Sequence, residues 1–451
     1  MSYAQTAARN VVCRHFAQGG HCRFAERCRF LHSTAAPPRP LRRGAQDGSA
    51  GGLSVPQHKR ARRDNPRRQH AFRRRWIPGE LAEGTEESRF KVLNLNLLAD
   101  SLVTFEHYPG TPKRFLSWQY RSGGLMKHIL SSNADLLCLQ EVDHAHFESF
   151  YSPQLEAAGY RGQFKCRTGD KRDGCAVFVR GASFSVSDWV QVECFVDGHP
   201  VLDRDNVALG AVCTHKATGR TLLVATTHLL FNPKRGDVKI AQLNFLTETL
   251  QRVRADHGHC PVILTGDFNS TPVSAVYEVM TRGQLDASHV DRREVSGQGE
   301  VIRQMSRGGK RRPPPYDRDG PHGASGTALG QFKPPSPPSS PRFVPLPAEL
   351  SQPKCALGPM KSAYALPSNG GSTGEPAFTT YHFNFKGAVD YVFYADSESQ
   401  PLRPAGILGM PTPAQLGQMG VPNEVWSSDH LSLLTEFSFG QPPRENSATS
   451  M

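Results

Sequence analysis

At 451 residues the chain is long enough to bury a sizeable core in one large domain or several small ones. Its formal charge of +12 is concentrated in residues 1–80, where 17 Lys and Arg stand against 4 Asp and Glu, so residues 81–451 carry about −1. A basic arm beside a near-neutral body points to a polyanion such as nucleic acid; without an apolar leader or bilayer-length apolar run, the sequence predicts no export and no membrane.

Ten cysteines occur, three of them in the first 28 residues and seven scattered without repeated spacing. Several lie inside apolar runs such as "DLLCLQEV", where a buried thiol is the ordinary reading, and the expected setting is reducing and intracellular, cytoplasm or nucleus.

In chain order, the first candidate element is "CRHFAQGGHCRFAERCRFLH", which spaces Cys13, Cys22, Cys28 and His32 as C-x8-C-x5-C-x3-H. Three thiolates and one imidazole form the closed tetrahedral set that suits Zn²⁺, and a unit this short needs the metal to fold. The spacing, with the aromatics Phe16, Phe24 and Phe30, resembles the CCCH zinc fingers. That resemblance implies that the three rings stack on bases of single-stranded RNA, which also fits the physical need for aromatics interleaved with Arg. Rings that only cover a small core, in a finger that meets protein, are the alternative. Residues 7–34 are assigned to the finger. Residues 35–87, rich in Arg, Pro, Gly and Ser, are predicted to be a flexible basic linker that includes the nuclear-localisation-like patch "KRARR".

From Phe90 the texture changes. Strand-like runs occur at "FKVLNLNLL", "DLLCLQEV", "GCAVFVR", "VALGAVC", "TLLVATTHLL" and "CPVILTGDF", and helical spacing fits "FLSWQYRSGGLMKHILSS" and "DVKIAQLNFLTETLQRV". Residues 292–375, with "KRRPPPYDRDGPHGASG" and "KPPSPPSSPRF", predict a disordered insertion. Strands resume at "AVDYVFYA" and "LSLLTEFSF". The expected body is one α/β domain over 88–440 with a polar tail at 441–451.

Polar residues recur at the ends of these strands: Asn96, Glu141, His228, Asp267 with Asn269, Asp390, and Asp429 with His430. A single strand-end Asp more often caps a turn, and a single His more often meets a carbonyl. Six such positions together form a set of hard oxygen donors with histidines beside them, suited to Mg²⁺ or Mn²⁺ and to phosphate chemistry.

The motifs "LNLNLL", "LCLQEV", "THL", "GDFNS", "VDYVFY" and "SDH", in this order, resemble the endonuclease/exonuclease/phosphatase superfamily, and "HLLFNPKRGDVKIAQL" resembles its CCR4, nocturnin and Angel branch, Angel most of all. The resemblance implies a two-sheet α/β sandwich flanked by helices, with the site at one edge. It assigns the catalytic metal to Glu141, Asn96 and Asp429. It gives Asp267 and Asn269 the attacking water, and Asp390, His430 and His228 the developing phosphorane charge. Asn206 and Phe385 match substrate-contacting positions. Leu95 departs from the usual aromatic before the first Asn, and Ser428 from the usual Pro. No leucine-rich repeats precede the body, which argues against assembly into a CCR4-type complex.

The expected function is a Mg²⁺-dependent RNA phosphodiesterase, a 3′→5′ exoribonuclease or deadenylase recruited to single-stranded RNA 3′ ends by its finger. The alternatives are an Angel-type RNA 2′,3′-cyclic phosphatase and a non-catalytic RNA-binding protein with a nuclease fold.

Overall fold

The computed structural model of the protein describes residues 74–79, 85–308, 343–369, 372–397 and 399–440. The finger, its ligands and aromatics, the linker up to residue 73 and the tail lie outside the described residues.

The strands are β1 (Trp76–Pro78), β2 (Arg89–Asn96), β3 (Leu136–Asp143), β4 (Tyr160–Cys166), β5 (Asp173–Arg180), β6 (Phe184–Glu193), β7 (Val207–His215), β8 (Thr221–His228), β9 (Val262–Asp267), β10 (Lys361–Ser362), β11 (Thr380–His382), β12 (Phe385–Gly387), β13 (Asp390–Ala395), β14 (Leu402–Leu408) and β15 (Leu433–Phe439). The principal helices are α1 (Trp118–Ser131), α2 (Gly236–Asp256), α3 (Ala275–Arg282) and α4 (Gln298–Gly308).

Two sheets stack face to face, one ordered β1-β14-β15-β2-β3-β5-β4 and the other β10-β13-β9-β8-β7-β6. Val92, Cys138, Val177, Leu209, Val224, Ile263, Val392 and Phe437 fill the layer between them. Helix α1 covers the outer face of the first sheet through Leu125, Met126 and Ile129. Helix α2 covers the second through Ile240, Leu243, Leu246 and Leu250. The central strands are thus buried on both faces, which is why their sequences read as continuous apolar runs. The body is the α/β two-sheet sandwich flanked by helices.

Each sheet contains one parallel pair, β2 with β3 and β8 with β9, each joined by a crossover helix. In an open α/β sheet, functional side chains collect beyond the carboxyl ends of such strands. Asn96, His228 and Asp267 are the last residues of β2, β8 and β9, and Glu141 lies near the end of β3.

Two expectations need correction. Residues 292–375 are not uniformly irregular: α4, a turn at Ala348–Leu350 and β10 all fall inside them. Val295, Leu346, Leu350, Cys355, Leu357 and Met360 join the core beneath α2. Spaced apolar residues anchor both flanks, while the proline-rich centre, 309–342, lies outside the described residues. Similarly, the assigned linker already contains β1, which pairs with β14, and the Arg74 guanidinium donates to the carbonyls of Leu408 (3.0 Å) and Gly409 (2.7 Å).

Six of the seven cysteines in the body, all but Cys166, are buried, and all seven are free. Among the described residues no helix is long and apolar enough to cross a membrane.

Candidate active site

The two parallel pairs bring their strand ends together. Asn96 Nδ2 donates to Glu141 Oε1 (3.1 Å) from within its own sheet, and to Asp267 Oδ2 (3.2 Å) on the opposite one. The backbone N–H of Leu98 donates to Asn96 Oδ1 (3.0 Å), which fixes which end of the amide faces the carboxylates. The N–H of Ala99 donates to Glu141 Oε2 (3.2 Å).

Local backbone geometry places these groups. Glu141 sits where β3 slips register against β5, between Leu139 and Val142, and its φ of +50° is left-handed. Asn269, two residues past the end of β9, has φ +46°. Such a conformation costs a non-glycine residue about 1–3 kcal/mol and concentrates where function requires a side chain off the sheet's alternation. Gly266 answers a different need: a Cβ there would stand 2.1 Å from the Thr227 carbonyl oxygen of the neighbouring strand.

On the second sheet, His228 Nε2 lies 3.5 Å from Asp267 Oδ2 and 2.9 Å from Asn269 Nδ2. The Asn269 amide also donates to the Leu229 carbonyl (3.0 Å), and its backbone N–H donates to Asp267 Oδ1 (2.9 Å). His430 Nδ1 is 2.8 Å from Asp390 Oδ2, while His430 Nε2 points to Asp267 Oδ2 at 3.7 Å. The Thr379 hydroxyl donates to the same Asp390 oxygen (2.6 Å). Ser428 donates to the Asn96 carbonyl (2.6 Å) and accepts from the His430 N–H (3.1 Å), linking β2 to the histidine through a side chain that proline lacks. Tyr108 donates to Asp429 Oδ2 (2.7 Å). Asn206 is buried; it donates to the His228 carbonyl and accepts from Gln242, each at 2.9 Å.

Burial pushes the Asp267 carboxyl up, with the Asp390 charge adding to the effect and His228 and His430 opposing it. For His430 burial acts the other way, but the charges of Asp390 and Asp267 outweigh it and hold the imidazolium well above its ordinary range.

One ligand atom each from Asp267, Asp390 and His430 falls within 4.8 Å of the others, a spacing compatible with a metal ion. His430 Nδ1 is already committed to Asp390, however, and the neighbouring carboxylates favour the donating form of its ring. The carboxylate oxygens of Glu141 and Asp267 are the better fit. Buried carboxylates are the ligand chemistry of a hard divalent cation, and Asn96, which turns its Nδ2 to both, orients them.

These groups open into a cleft. Asn206, Phe385 and Asp429 line it alongside Glu141, His228, Asp267, Asn269 and His430. Tyr108, Arg167, Phe231, Gln298, Ile302 and His382 also line it and were not anticipated. They come from loops, from β4's exit, from α4 and, for His382, from the end of the three-residue strand β11, which is too short to show an apolar run.

Comparison with known proteins agrees with this architecture. A family model described as the Endonuclease/Exonuclease/phosphatase family matches residues 93–430, and one described as zinc finger C-x8-C-x5-C-x3-H type matches residues 10–34. Carbon catabolite repressor protein 4 homolog 3 of Arabidopsis thaliana is 32% identical, covering 83% of this chain and 82% of its own. Protein angel homolog 2 of Bos taurus is 33% identical, covering 77% of this chain and 68% of its own. A crystal structure of ANGEL2, described as a 2′,3′-cyclic phosphatase in complex with adenosine-2′,3′-vanadate, superposes with a TM-score of 0.62 at 31% identity, covering 81% of this chain and 99% of its own.

Proposed function

The chain belongs to the endonuclease/exonuclease/phosphatase family, and from that premise we propose that it is a divalent-metal-dependent phosphodiesterase acting at the 3′ end of single-stranded RNA. The observation that carries this reading is the meeting of Asn96, Glu141, His228, Asp267, Asn269, Asp390 and His430 at the ends of two parallel strand pairs from opposite sheets.

Glu141, its carboxylate oriented by Asn96 and with Asp429 nearby, would hold Mg²⁺ or Mn²⁺, which when bound neutralises phosphate charge. Asp267 is the group that takes a proton from the attacking water. Its raised pKa makes it a stronger base than an exposed carboxylate, and Asn96 and the Asn269 N–H hold it in place. As the water oxygen bonds to phosphorus, the opposite P–O bond breaks. His430, kept cationic by Asp390, directs Nε2–H toward the charge on the phosphate oxygens. Asn269 and His228 position the phosphate from the other side, and Phe385 supports the terminal base. At the other end of the chain, Cys13, Cys22, Cys28 and His32 would hold Zn²⁺, and Phe16, Phe24 and Phe30 would contact RNA.

The first reading is stepwise 3′→5′ hydrolysis of an RNA such as a poly(A) tail, in the cytoplasm or nucleus. A second reading, hydrolysis of a terminal 2′,3′-cyclic phosphate, is favoured by the match along nearly all of the ANGEL2 chain. Matched RNAs ending in poly(A), in a mixed sequence with a free 3′-hydroxyl, or in a 2′,3′-cyclic phosphate separate them when offered with and without Mg²⁺. Ladder-like shortening supports the exonuclease, and loss of the cyclic end at constant length supports the phosphatase. Failure to hydrolyse any of the three refutes the proposal.

A further inference from the structure

Lys239, in the first turns of α2, is fully buried. Burying an ammonium is costly unless its protons meet acceptors, and three oxygens surround this one: the carbonyls of Asn269 (2.6 Å) and Phe231 (3.4 Å), and Gln298 Oε1 (3.2 Å). Gln298 opens α4, lines the cleft and is itself buried.

An ammonium only donates, so it fixes the orientation of what it touches. Gln298 must turn Oε1 to Lys239, which leaves its Nε2 as the donor to Asn269 Oδ1 at 3.5 Å. Asn269 must then direct Nδ2 the other way, toward the Leu229 carbonyl and His228 Nε2. The Leu229 carbonyl independently requires a donor at that position. A donating amide 2.9 Å from His228 Nε2 requires a lone pair on that nitrogen, with the ring proton on Nδ1.

We propose that Lys239 and Gln298 form a directional hydrogen-bond relay that orients the Asn269 amide and thereby fixes the tautomer of His228. Both are positioning residues acting through Asn269. Under this assignment the two histidines differ: His430 directs its Nε2–H to the site, whereas His228 turns the Nε2 lone pair to the Asn269 amide and acts on the phosphate only by holding that amide in place. The effect on turnover rests on the phosphodiesterase reading above; the tautomer does not.

The test uses the full chain labelled with ¹⁵N-histidine, observed by long-range proton–nitrogen correlation at pH 8, with His228→Gln identifying the resonance. The parent should show His228 with an unprotonated Nε2. Lys239→Met and Gln298→Met should each give a mixture of tautomers at His228, leave the other histidine signals in place, and lower kcat by about 10- to 100-fold with KM within about threefold. Lys239→Arg should restore most of the parent signal. A parent protonated at Nε2, or variants that keep the parent tautomer, overturns the relay. If Lys239→Met fails to fold, Gln298→Met decides, because it removes no charge. A tautomer shift in a protein that hydrolyses no RNA refutes the functional reading and leaves the relay standing.

Discussion

The two βαβ halves of the sandwich carry the same device with different cations. Arg121 and Lys239 each occupy the fourth position of a crossover helix, and each is fully buried. Each also donates to the carbonyl of a left-handed non-glycine residue: Arg121 Nη1 to Leu98 (φ +58°) at 2.8 Å, and Lys239 to Asn269 (φ +46°) at 2.6 Å. The Arg121 fork also serves the carbonyls of Leu97 and Leu116, which holds the loop whose Ala99 N–H meets Glu141. Lys239 instead reaches a side chain, and through it the Asn269 amide beside His228. A planar guanidinium suits a rigid set of carbonyls; a compact ammonium suits a three-way junction. On the proposed function, the first half holds charge in place and the second handles protons.

The strongest way to break this division is to remove its two carboxylates. Glu141→Ala and Asp267→Ala should each lower kcat by at least about 1,000-fold without lowering the Tm appreciably. Their conservative variants should differ: raising Mg²⁺ should partly recover Glu141→Gln and should not recover Asp267→Asn, as a steady-state titration would reveal. Equal recovery would erase the distinction.

Asp390→Asn should cost about 100-fold in kcat/KM. It also removes a charge that holds the proton on His430, so the alkaline limb of the pH–rate profile should move to lower pH. The sign follows from linkage: the raised pKa contributes stability that is full below the ordinary histidine value and is lost as pH rises through the folded one. A limb that stays in place would assign it to another group.

Arg121→Met should destabilise by about 3 kcal/mol in chemical denaturation, because it leaves buried carbonyls without their donor, while kcat per folded molecule stays within about threefold. Together with Lys239→Met this contrasts a fold-supporting cation with a site-orienting one.

A purely pH-dependent effect concerns Glu375, which burial pushes up to about 7 although Tyr277 donates to it at 2.9 Å. The folded state binds its proton more tightly than the unfolded chain, so this contribution is full below about pH 4.5 and is lost as pH rises through about 7. Glu375→Gln should therefore raise stability at pH 8 by up to about 3 kcal/mol and leave it unchanged at pH 4. Denaturation at the two pH values provides the check.

The strands that build the site were legible because they are buried on both faces: "VLNLN", "LLCLQEV", "LLVATTH" and "VILTGD" are mostly apolar, with their polar residues, Asn94 apart, gathered toward the carboxyl end. Strands β4, β6 and β14 escaped because each is partly exposed, with polar or proline residues interrupting the run. Lys239 was hidden for a related reason: a lysine in a helical pattern reads as a solvated face, and nothing local reports that Asn269 and Gln298 fold over it. Gln298 itself lay in a stretch whose composition was dominated by the prolines further along. Tyr108 and Arg167 reach the cleft from loops, a placement set by tertiary packing.

Strand β15 lies between β14 and β2, and His430 stands three residues before its first residue. A chain emerging from the ribosome exposes β2, β3, β8 and β9 in turn, with their acids and amides, long before it can insert the strand that joins β2 to β14. The histidine that faces Asp267 and Asp390 arrives only with that insertion. Completion of the pocket therefore needs nearly the whole body of the chain. Without the residues from 430 onward the first sheet lacks the strand between β14 and β2, and the site lacks the imidazole that faces its acids.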